Sequence, residues 1–277
     1  MTDEKRKMTE TPHEHDDELS RSMLLRAHRR ATKTLLRVSA SGLLLEAAGV
    51  AAEAATRRLL AARAAEADAV FIWIPKCAGT SVYQFLRKAA NCQAFFSPRA
   101  VERLFPQRGV VTFGHMAYHQ LLRAEIVSAA FDARAFKFAF VRNPFDRAVS
   151  LFEAWRKNGG LHPKTSFLTF CHILADRAYE DIGLYNGRGL SIASPQVTWI
   201  REFRPGEVLI SKFEDLNAGL AEISQRICPR SATLPSLPRL NASPRDRHSH
   251  YYDTVTHQLV AAAYAEDFAT LGYDFDS

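Results

Sequence analysis

Near position 70 the chain reads Val70-Phe-Ile-Trp-Ile-Pro-Lys76-Cys-Ala-Gly79-Thr80-Ser81. Residues 70–74 are β-branched or aromatic, a composition typical of a central strand that is covered on both faces. Pro75 ends this strand, and residues 82–88 are predicted to form a helix. The apolar positions of that helix are spaced to pack on a sheet: Val82, Phe85 and Leu86. The stretch therefore predicts a strand, a short loop and a helix, the basic unit of an α/β fold with a parallel sheet.

The loop between this strand and helix, which we call the anion loop, is suited to binding an anion. It consists of Pro75, Lys76, Cys77, Ala78, Gly79, Thr80 and Ser81. Its small side chains allow backbone N–H groups to approach an anion at the positive end of the helix, and Lys76 adds a mobile charge. The lysine precedes the glycine, which is not the order of a Walker A loop and weighs against a nucleoside triphosphate. By itself the loop also fits a purely structural turn with a solvated lysine.

A second segment repeats this plan and is called the arginine segment, residues 140–150. It lies within Phe136-Lys-Phe-Ala-Phe-Val-Arg142-Asn-Pro-Phe-Asp146-Arg147-Ala-Val-Ser150, which reads as a strand, a charged residue, a proline and an amphipathic helix. Ligands of open α/β sheets bind at the carboxyl ends of the strands, so Arg142 and Lys76 are expected to face one crevice. Ser150 lies two helical turns beyond Arg142 and offers a hydroxyl to an anion held by that arginine. For Asp146 and Arg147 we expect a charge network at the helix start.

Together the two segments closely resemble the nucleotide-binding motifs of the sulfotransferases that use 3'-phosphoadenosine 5'-phosphosulfate (PAPS), in particular the carbohydrate branch called family 2. In that family a loop I-P-K-x-[AG]-G-T-[ST] holds the 5'-phosphosulfate, and a segment F-V-R-N-P-[FY]-D-R-x-x-S holds the 3'-phosphate. Residues 74–81 and 140–150 match both patterns without a gap. The resemblance extends from about residue 69 to the C-terminus. It implies a P-loop-like three-layer α/β fold, with a central parallel sheet flanked by helices, and sulfuryl transfer to a hydroxyl, with a carbohydrate as the expected acceptor.

The resemblance also implies roles for single residues. Lys76 would stabilise the leaving phosphate oxygen, together with backbone N–H groups of the anion loop. Arg142 and Ser150 would hold the 3'-phosphate of PAPS. Arg245 lies in a segment that folds back over the nucleotide in the family, so it would add a phosphate contact. Cys77 occupies a position that varies in the family, which favours a spacer over a nucleophile.

A candidate general base follows the short run Val110-Val-Thr-Phe-Gly114-His115. A histidine near a strand end is suited to accepting a proton at neutral pH. In the related glycan 2-O-sulfotransferases a histidine in a G-H segment between the two nucleotide motifs is the base, so the resemblance implies this role for His115. His119 is the rival histidine, and Glu153 and Glu214 are the carboxylate alternatives.

Composition and the N-terminal quarter set further expectations. Residues 1–18 are predicted to be a disordered acidic tail, residues 19–67 a helical extension, and residues 68–277 the sulfotransferase domain. A basic amphipathic helix over residues 21–37 is a candidate for peripheral membrane contact. Charged residues interrupt the alanine-rich stretch 42–67, and no secretory signal is visible, so a cytoplasmic location is expected.

The net charge and the cysteines restrict the ligand classes. A formal charge of +6 and a pI near 9.2 favour anionic ligands, but no nucleic-acid recognition module is visible, so no nucleic-acid partner is expected. The four cysteines show no metal-ligand spacing, and no metal is expected.

Two other functions stay open from sequence: an ATP-dependent kinase and a nucleotide-binding protein without catalysis. For Gln196 and Trp199, sugar contact and helix packing are equally compatible with the sequence.

Overall fold

The computed structural model describes residues 49–178, 190–228 and 248–276. The predicted acidic tail 1–18, the basic helix 21–37 and Arg245 therefore lie outside the described residues. Within these ranges, no helix is long and apolar enough to cross a membrane.

A parallel sheet of five strands forms the centre of the fold. Its strands are β1 (Ala69–Ile72), β2 (Gln93–Ala94), β3 (Val110–Thr112), β4 (Phe136–Val141) and β5 (Val208–Lys212). The strand order across the sheet is β2-β3-β1-β4-β5. Every adjacent pair is parallel, and Ala69 is in register with Val110 on one side and Phe136 on the other. All residues of β1 are buried, as expected for a central strand.

Helices connect the strands and cover the sheet. They are α1 (Gly49–Arg63), α2 (Gly79–Ala90), α3 (Pro98–Leu104), α4 (Tyr118–Arg123), α5 (Ala129–Arg134), α6 (Pro144–Lys157), α7 (Phe167–Ala175), α8 (Leu216–Ile227), α9 (Thr254–Ala263) and α10 (Ala265–Leu271). Short 3₁₀ helices span Gln196–Trp199, Phe213–Asp215 and His248–Tyr251. The predicted α/β fold with a central parallel sheet flanked by helices is confirmed.

The helices that follow the two motifs form where the sequence predicts them. α2 buries Val82, Phe85 and Leu86 against the sheet, although it begins three residues earlier than predicted. α6 begins at Pro144, which suits the first helical turn because proline has no N–H to leave unpaired there. The Oδ1 atom of Asn143 caps this helix by accepting a hydrogen bond of 2.9 Å from the N–H of Phe145.

One predicted boundary differs from the structure. The strand predicted over residues 70–74 ends at Ile72, and Trp73 and Ile74 lead into the anion loop. Near the C-terminus, Tyr264 separates α9 from α10. The buried Tyr264 hydroxyl donates a hydrogen bond of 2.9 Å to the carbonyl of Ala193, which anchors this break to the segment before Gln196.

The strand order determines which residues meet at the carboxyl edge of the sheet. Each strand is followed there by a side chain of interest, in the spatial order Phe96, His115, Lys76, Arg142 and Phe213. Neighbouring strands lie about 5 Å apart, so this edge aligns the residues in a row. Lys76 follows the central strand β1 and therefore lies in the middle of the row, between His115 and Arg142.

Candidate active site

The anion loop contains two residues with a left-handed backbone conformation. Lys76 and Ala78 have φ angles of 69° and 58°, in the left-handed region that side-chain-bearing residues rarely adopt. Alternation of left-handed and right-handed residues directs successive N–H groups into one concavity. Ala78 occupies the N-cap of α2 and has no side-chain oxygen with which to cap the helix. The positive end of α2 therefore opens onto the same concavity.

Gly79 is required by a close aromatic contact. A Cβ atom at this position would lie 1.7 Å from Nε1 of Trp73, far inside van der Waals contact. Trp73 directly follows β1, and its indole stacks on Tyr83 of α2 at a centroid distance of 5.7 Å. The absence of a side chain at Gly79 lets this indole lie across the first turn of α2.

The Cys77 side chain is turned into the protein interior. Its thiol is buried and donates a hydrogen bond of 3.1 Å to Oε1 of Gln196. Burial raises the pKa of this thiol to about 12, so it stays protonated at neutral pH. A protonated, buried thiol fits the spacer interpretation and argues against a nucleophile.

Arg142 connects the arginine segment to the anion loop. Its Nη1 donates a hydrogen bond of 3.2 Å to the carbonyl of Lys76, and its guanidinium lies 4.2 Å from the ring centroid of Phe213. Its Nε donates a hydrogen bond of 2.6 Å to Oδ2 of Asp146, with which it also forms an ion pair. Ser150 lies one helical turn beyond Asp146, on the same face of α6.

The prediction of a charge network at the helix start is confirmed for Asp146 and wrong for Arg147. Asp146 pairs with Arg142, as described above. Arg147 is instead fully buried, with Nε donating to the carbonyl of Pro75 at 3.0 Å. Its Nη2 donates to the carbonyls of Ile192 and Ser194 at 2.8 and 3.0 Å. Arg147 points across the helix into the protein, because its position on α6 faces the core rather than the first turn.

His115 has a defined tautomer. Its Nδ1 lies 2.8 Å from the carbonyl of Trp73. A carbonyl can only accept, so Nδ1 carries the proton and Nε2 carries the lone pair. The ring also packs edge-on against the Trp73 indole at a centroid distance of 5.3 Å. The carbonyl of His115 in turn accepts a hydrogen bond of 3.0 Å from Nε1 of Trp199.

The surroundings of His115 favour the neutral imidazole. Burial lowers its pKa from 6.5 to about 4, and the positive charges of Arg147 and Lys76 act in the same direction. Only the hydrogen bond to Trp73 opposes this shift. At neutral pH the imidazole is therefore uncharged, with its proton on Nδ1.

The rival base candidates lie in other surroundings. Burial lowers the pKa of His119 too, but the charges that act on it are those of Glu202, Arg123 and Arg201. Glu153 pairs with Arg156 and accepts a hydrogen bond of 3.2 Å from the Tyr251 hydroxyl.

Glu214 forms a hydrogen bond with the backbone of the arginine segment. Its two oxygens accept hydrogen bonds of 2.9 and 2.8 Å from the N–H of Asn143 and the hydroxyl of Tyr273. These bonds attach the residue after Arg142 to the C-terminal part of the domain. Glu214 therefore has a structural role in holding the arginine segment.

Sequence reasoning missed the importance of Gln196 and Asp267. Gln196 is fully buried and bonds to both the anion loop and the arginine segment, so of the two roles that the sequence left open the structure favours the internal one. Trp199 is fully buried as well, beneath His115. Asp267 carried no sequence signal because it lies within an ordinary helix.

The region that contains the anion loop and the arginine segment is similar to a known protein family. Residues 63–178, which include Lys76, His115 and Arg142, match the model of the sulfotransferase family. This region is similar to the sulfotransferase family. The match confirms the predicted enzyme class, a PAPS-dependent sulfotransferase that performs sulfuryl transfer. No curated protein sequence matches the chain.

Two solved sulfotransferase structures are similar to this chain to a limited degree. One is mouse sulfotransferase SULT7A1 complexed with PAP, with 13% identity, a TM-score of 0.49, and coverage of 78% of this chain and 90% of the mouse chain. Another is a sulfotransferase from Alicyclobacillus acidocaldarius, with 17% identity, a TM-score of 0.48, and coverage of 76% and 97%. Among the residues that the structure describes, no group of three or more His, Cys, Asp or Glu side chains could hold a metal ion.

Proposed function

We propose that this sulfotransferase moves the sulfuryl group of PAPS to a carbohydrate hydroxyl at the carboxyl edge of its sheet. The observation that carries the proposal is the strand order, which sets His115 and Arg142 on opposite flanks of Lys76. Such a row provides for an acceptor, a transferred group and a nucleotide in sequence. A site that only bound a nucleotide would have no use for a neutral histidine on the far side of the lysine.

The anion loop and the arginine segment suit the two ends of the nucleotide. The N–H concavity at the start of α2, with Lys76 beside it, fits a 5'-phosphosulfate. Arg142, held by Asp146 and Phe213, and Ser150 on the same helix face fit the 3'-phosphate. The role of Arg245 as a further phosphate ligand stays a prediction.

His115 is suited to removing the acceptor proton. In the transfer, the acceptor oxygen forms a bond to sulfur while the bond between sulfur and the 5'-phosphate oxygen breaks, which leaves adenosine 3',5'-bisphosphate. The acceptor proton passes to Nε2 of His115, whose Nδ1 proton is held by Trp73. Lys76 stabilises the charge that develops on the leaving oxygen, as a preorganised cation does in phosphoryl transfer.

The surface next to His115 supports a carbohydrate acceptor. Phe96 follows β2, at the acceptor end of the row, and is 53% exposed. Its ring contacts the Trp73 indole at a centroid distance of 6.3 Å, and Trp73 also contacts His115. Exposed aromatic rings beside polar groups are suited to the apolar face and hydroxyl edge of a sugar ring.

The decisive experiment is transfer of radiolabelled sulfate from PAPS to a panel of acceptors. We expect incorporation into at least one polysaccharide or oligosaccharide, and none when PAPS is replaced by ATP labelled at the γ-phosphate. Incorporation only into lipid extracts or simple phenols would contradict the carbohydrate acceptor. Transfer of phosphate from ATP would instead establish the kinase alternative, and thermal stabilisation by ATP but not by adenosine 3',5'-bisphosphate would point the same way.

A further inference from the structure

The side-chain amide of Gln196 contacts both halves of the proposed nucleotide site. Its Oε1 accepts hydrogen bonds from the N–H of Arg142 at 2.8 Å and from the thiol of Cys77 at 3.1 Å. Its Nε2 donates a hydrogen bond of 2.8 Å to the carbonyl of Arg142. One planar group thus holds the backbone of Arg142 on both polar atoms and reaches the anion loop at the same time.

Asp267 of α10 holds this amide in a single orientation. Its Oδ2 accepts hydrogen bonds from the backbone N–H and Nε2 of Gln196 at 2.9 and 3.2 Å. Its Oδ1 accepts a hydrogen bond of 2.9 Å from the N–H of Val197. Both Gln196 and Asp267 are fully buried, so these bonds do not compete with water.

The pattern of donors and acceptors is specific for glutamine. Oε1 faces two donors, and Nε2 faces two acceptors, so a flipped amide would oppose all four partners. Glutamate would lack the Nε2 donor and bring a second carboxylate beside Asp267. Methionine would fill the space and satisfy none of the bonds. Packing alone does not account for such a directional requirement.

We infer that Gln196 is a positioning residue that sets the distance and orientation between the anion loop and the arginine segment. This inference rests on the proposed function, because the two segments must grip the two phosphates of one nucleotide. If their spacing is fixed in advance, the second phosphate binds without the cost of ordering its ligands. The loss of Gln196 should therefore lower the affinity for a ligand that contacts both segments more than the affinity for a ligand that contacts only one.

The test compares two nucleotides on the full chain by calorimetry. Adenosine 3',5'-bisphosphate is titrated directly, and adenosine 5'-monophosphate, which lacks the 3'-phosphate, is measured by displacement. For Gln196→Met we expect the affinity for the bisphosphate to fall about tenfold or more, and the affinity for the monophosphate to change less than about twofold. The ratio of the two affinities is the readout, since a general packing defect would lower both by a similar factor.

Gln107→Met is the matched control. Gln107 also bonds to backbone groups on two sides, the carbonyl of Ile126 and the N–H of Ser128, both at 2.9 Å. It lies before β3, at the opposite edge of the sheet. We expect this variant to lower thermal stability and to leave the affinity ratio unchanged.

Each outcome decides between the inference and the proposed function. An unchanged ratio in a folded Gln196→Met variant would overturn the inference and leave the proposed function standing. Binding of neither nucleotide by the wild-type chain would overturn the proposed function, and the inference with it. If Gln196→Met does not fold, Cys77→Ala removes one branch of the contact, and the ratio should still fall by a smaller factor; no fall would count against the inference.

Discussion

The guanidinium of Arg142 donates a hydrogen bond of 3.2 Å to the backbone carbonyl of Lys76. This bond joins two segments that are 66 residues apart in the chain. Because the carbonyl points at a cation, the Lys76 peptide is held in its left-handed conformation, and the anion loop keeps its concavity. Arg142 therefore supports the loop.

Arg142→Ala should weaken binding of adenosine 3',5'-bisphosphate by roughly 10- to 100-fold, because a charge-assisted contact contributes about 1.5–3 kcal/mol. Calorimetry measures the change. Arg226→Ala is the matched control, since Arg226 also pairs with a carboxylate one turn away, Glu222, and lies over an aromatic ring, that of Phe136. Equal affinity in the Arg142 variant and the wild type would remove Arg142 from the site.

Lys76→Ala should lower kcat for sulfuryl transfer by roughly 100-fold or more, with a smaller effect on nucleotide affinity. The reason is that the positive charge matters most when charge develops on the leaving oxygen. Steady-state kinetics together with calorimetry separates the two effects. Lys88→Ala, at the exposed end of the same helix, should retain the wild-type rate. A Lys76 variant with full kcat would show that another group stabilises the leaving oxygen.

His115→Ala should abolish sulfuryl transfer and leave the affinity for adenosine 3',5'-bisphosphate within about twofold of wild type, since a general base acts on the acceptor. His119→Ala should keep most of the activity. The charged residues around His119 are Glu202, Arg123 and Arg201, and Lys76 is not among them. Transfer assays and calorimetry on both variants decide the assignment. Activity retained without His115 and lost without His119 would reverse it.

His115 should also make stability depend on pH. Its folded-state pKa of about 4 lies below the unfolded value of 6.5. Between these two pH values the imidazole is mostly protonated in the unfolded chain and mostly neutral in the folded chain. The free energy of unfolding should fall between pH 7 and pH 5 by at most about 2 kcal/mol from this group. Urea unfolding at the two pH values should show a smaller fall for His115→Gln. The exposed His250 serves as control, because His250→Gln should behave like the wild type; equal falls in all three proteins would contradict the burial of His115.

Phe96→Ala should raise KM for the carbohydrate acceptor about 10-fold and leave KM for PAPS unchanged, since stacking on an exposed ring is worth about 1–1.5 kcal/mol. Kinetics with the polysaccharide found in the acceptor panel provides the measurement. Leu168→Ala removes another exposed apolar side chain, on α7, and should change neither constant. An unchanged acceptor KM in the Phe96 variant would move the acceptor away from this surface.

The parts of the site that the sequence predicted are the contiguous ones. The anion loop and the start of α6 each combine strand composition, a short loop and a helix signal within about a dozen residues, and local propensities act over that range. Gln196 could not be predicted in the same way, because it contacts Arg142 from 54 residues further along the chain. Arg147 was misjudged for the same reason: its partner, the Pro75 carbonyl, is 72 residues away.

The sequence by itself determined the anion loop, the arginine segment, the parallel α/β class and the resemblance to the sulfotransferases, since these depend on short motifs and hydrophobic patterns. Only the tertiary structure decided the order β2-β3-β1-β4-β5, and with it the sequence of His115, Lys76 and Arg142 along one edge. It also decided the single tautomer of His115 and the buried amide of Gln196 between the segments. The physical reason is that strand pairing and buried hydrogen bonds join residues far apart in the chain, and the direction of such bonds is set by packing rather than by local sequence.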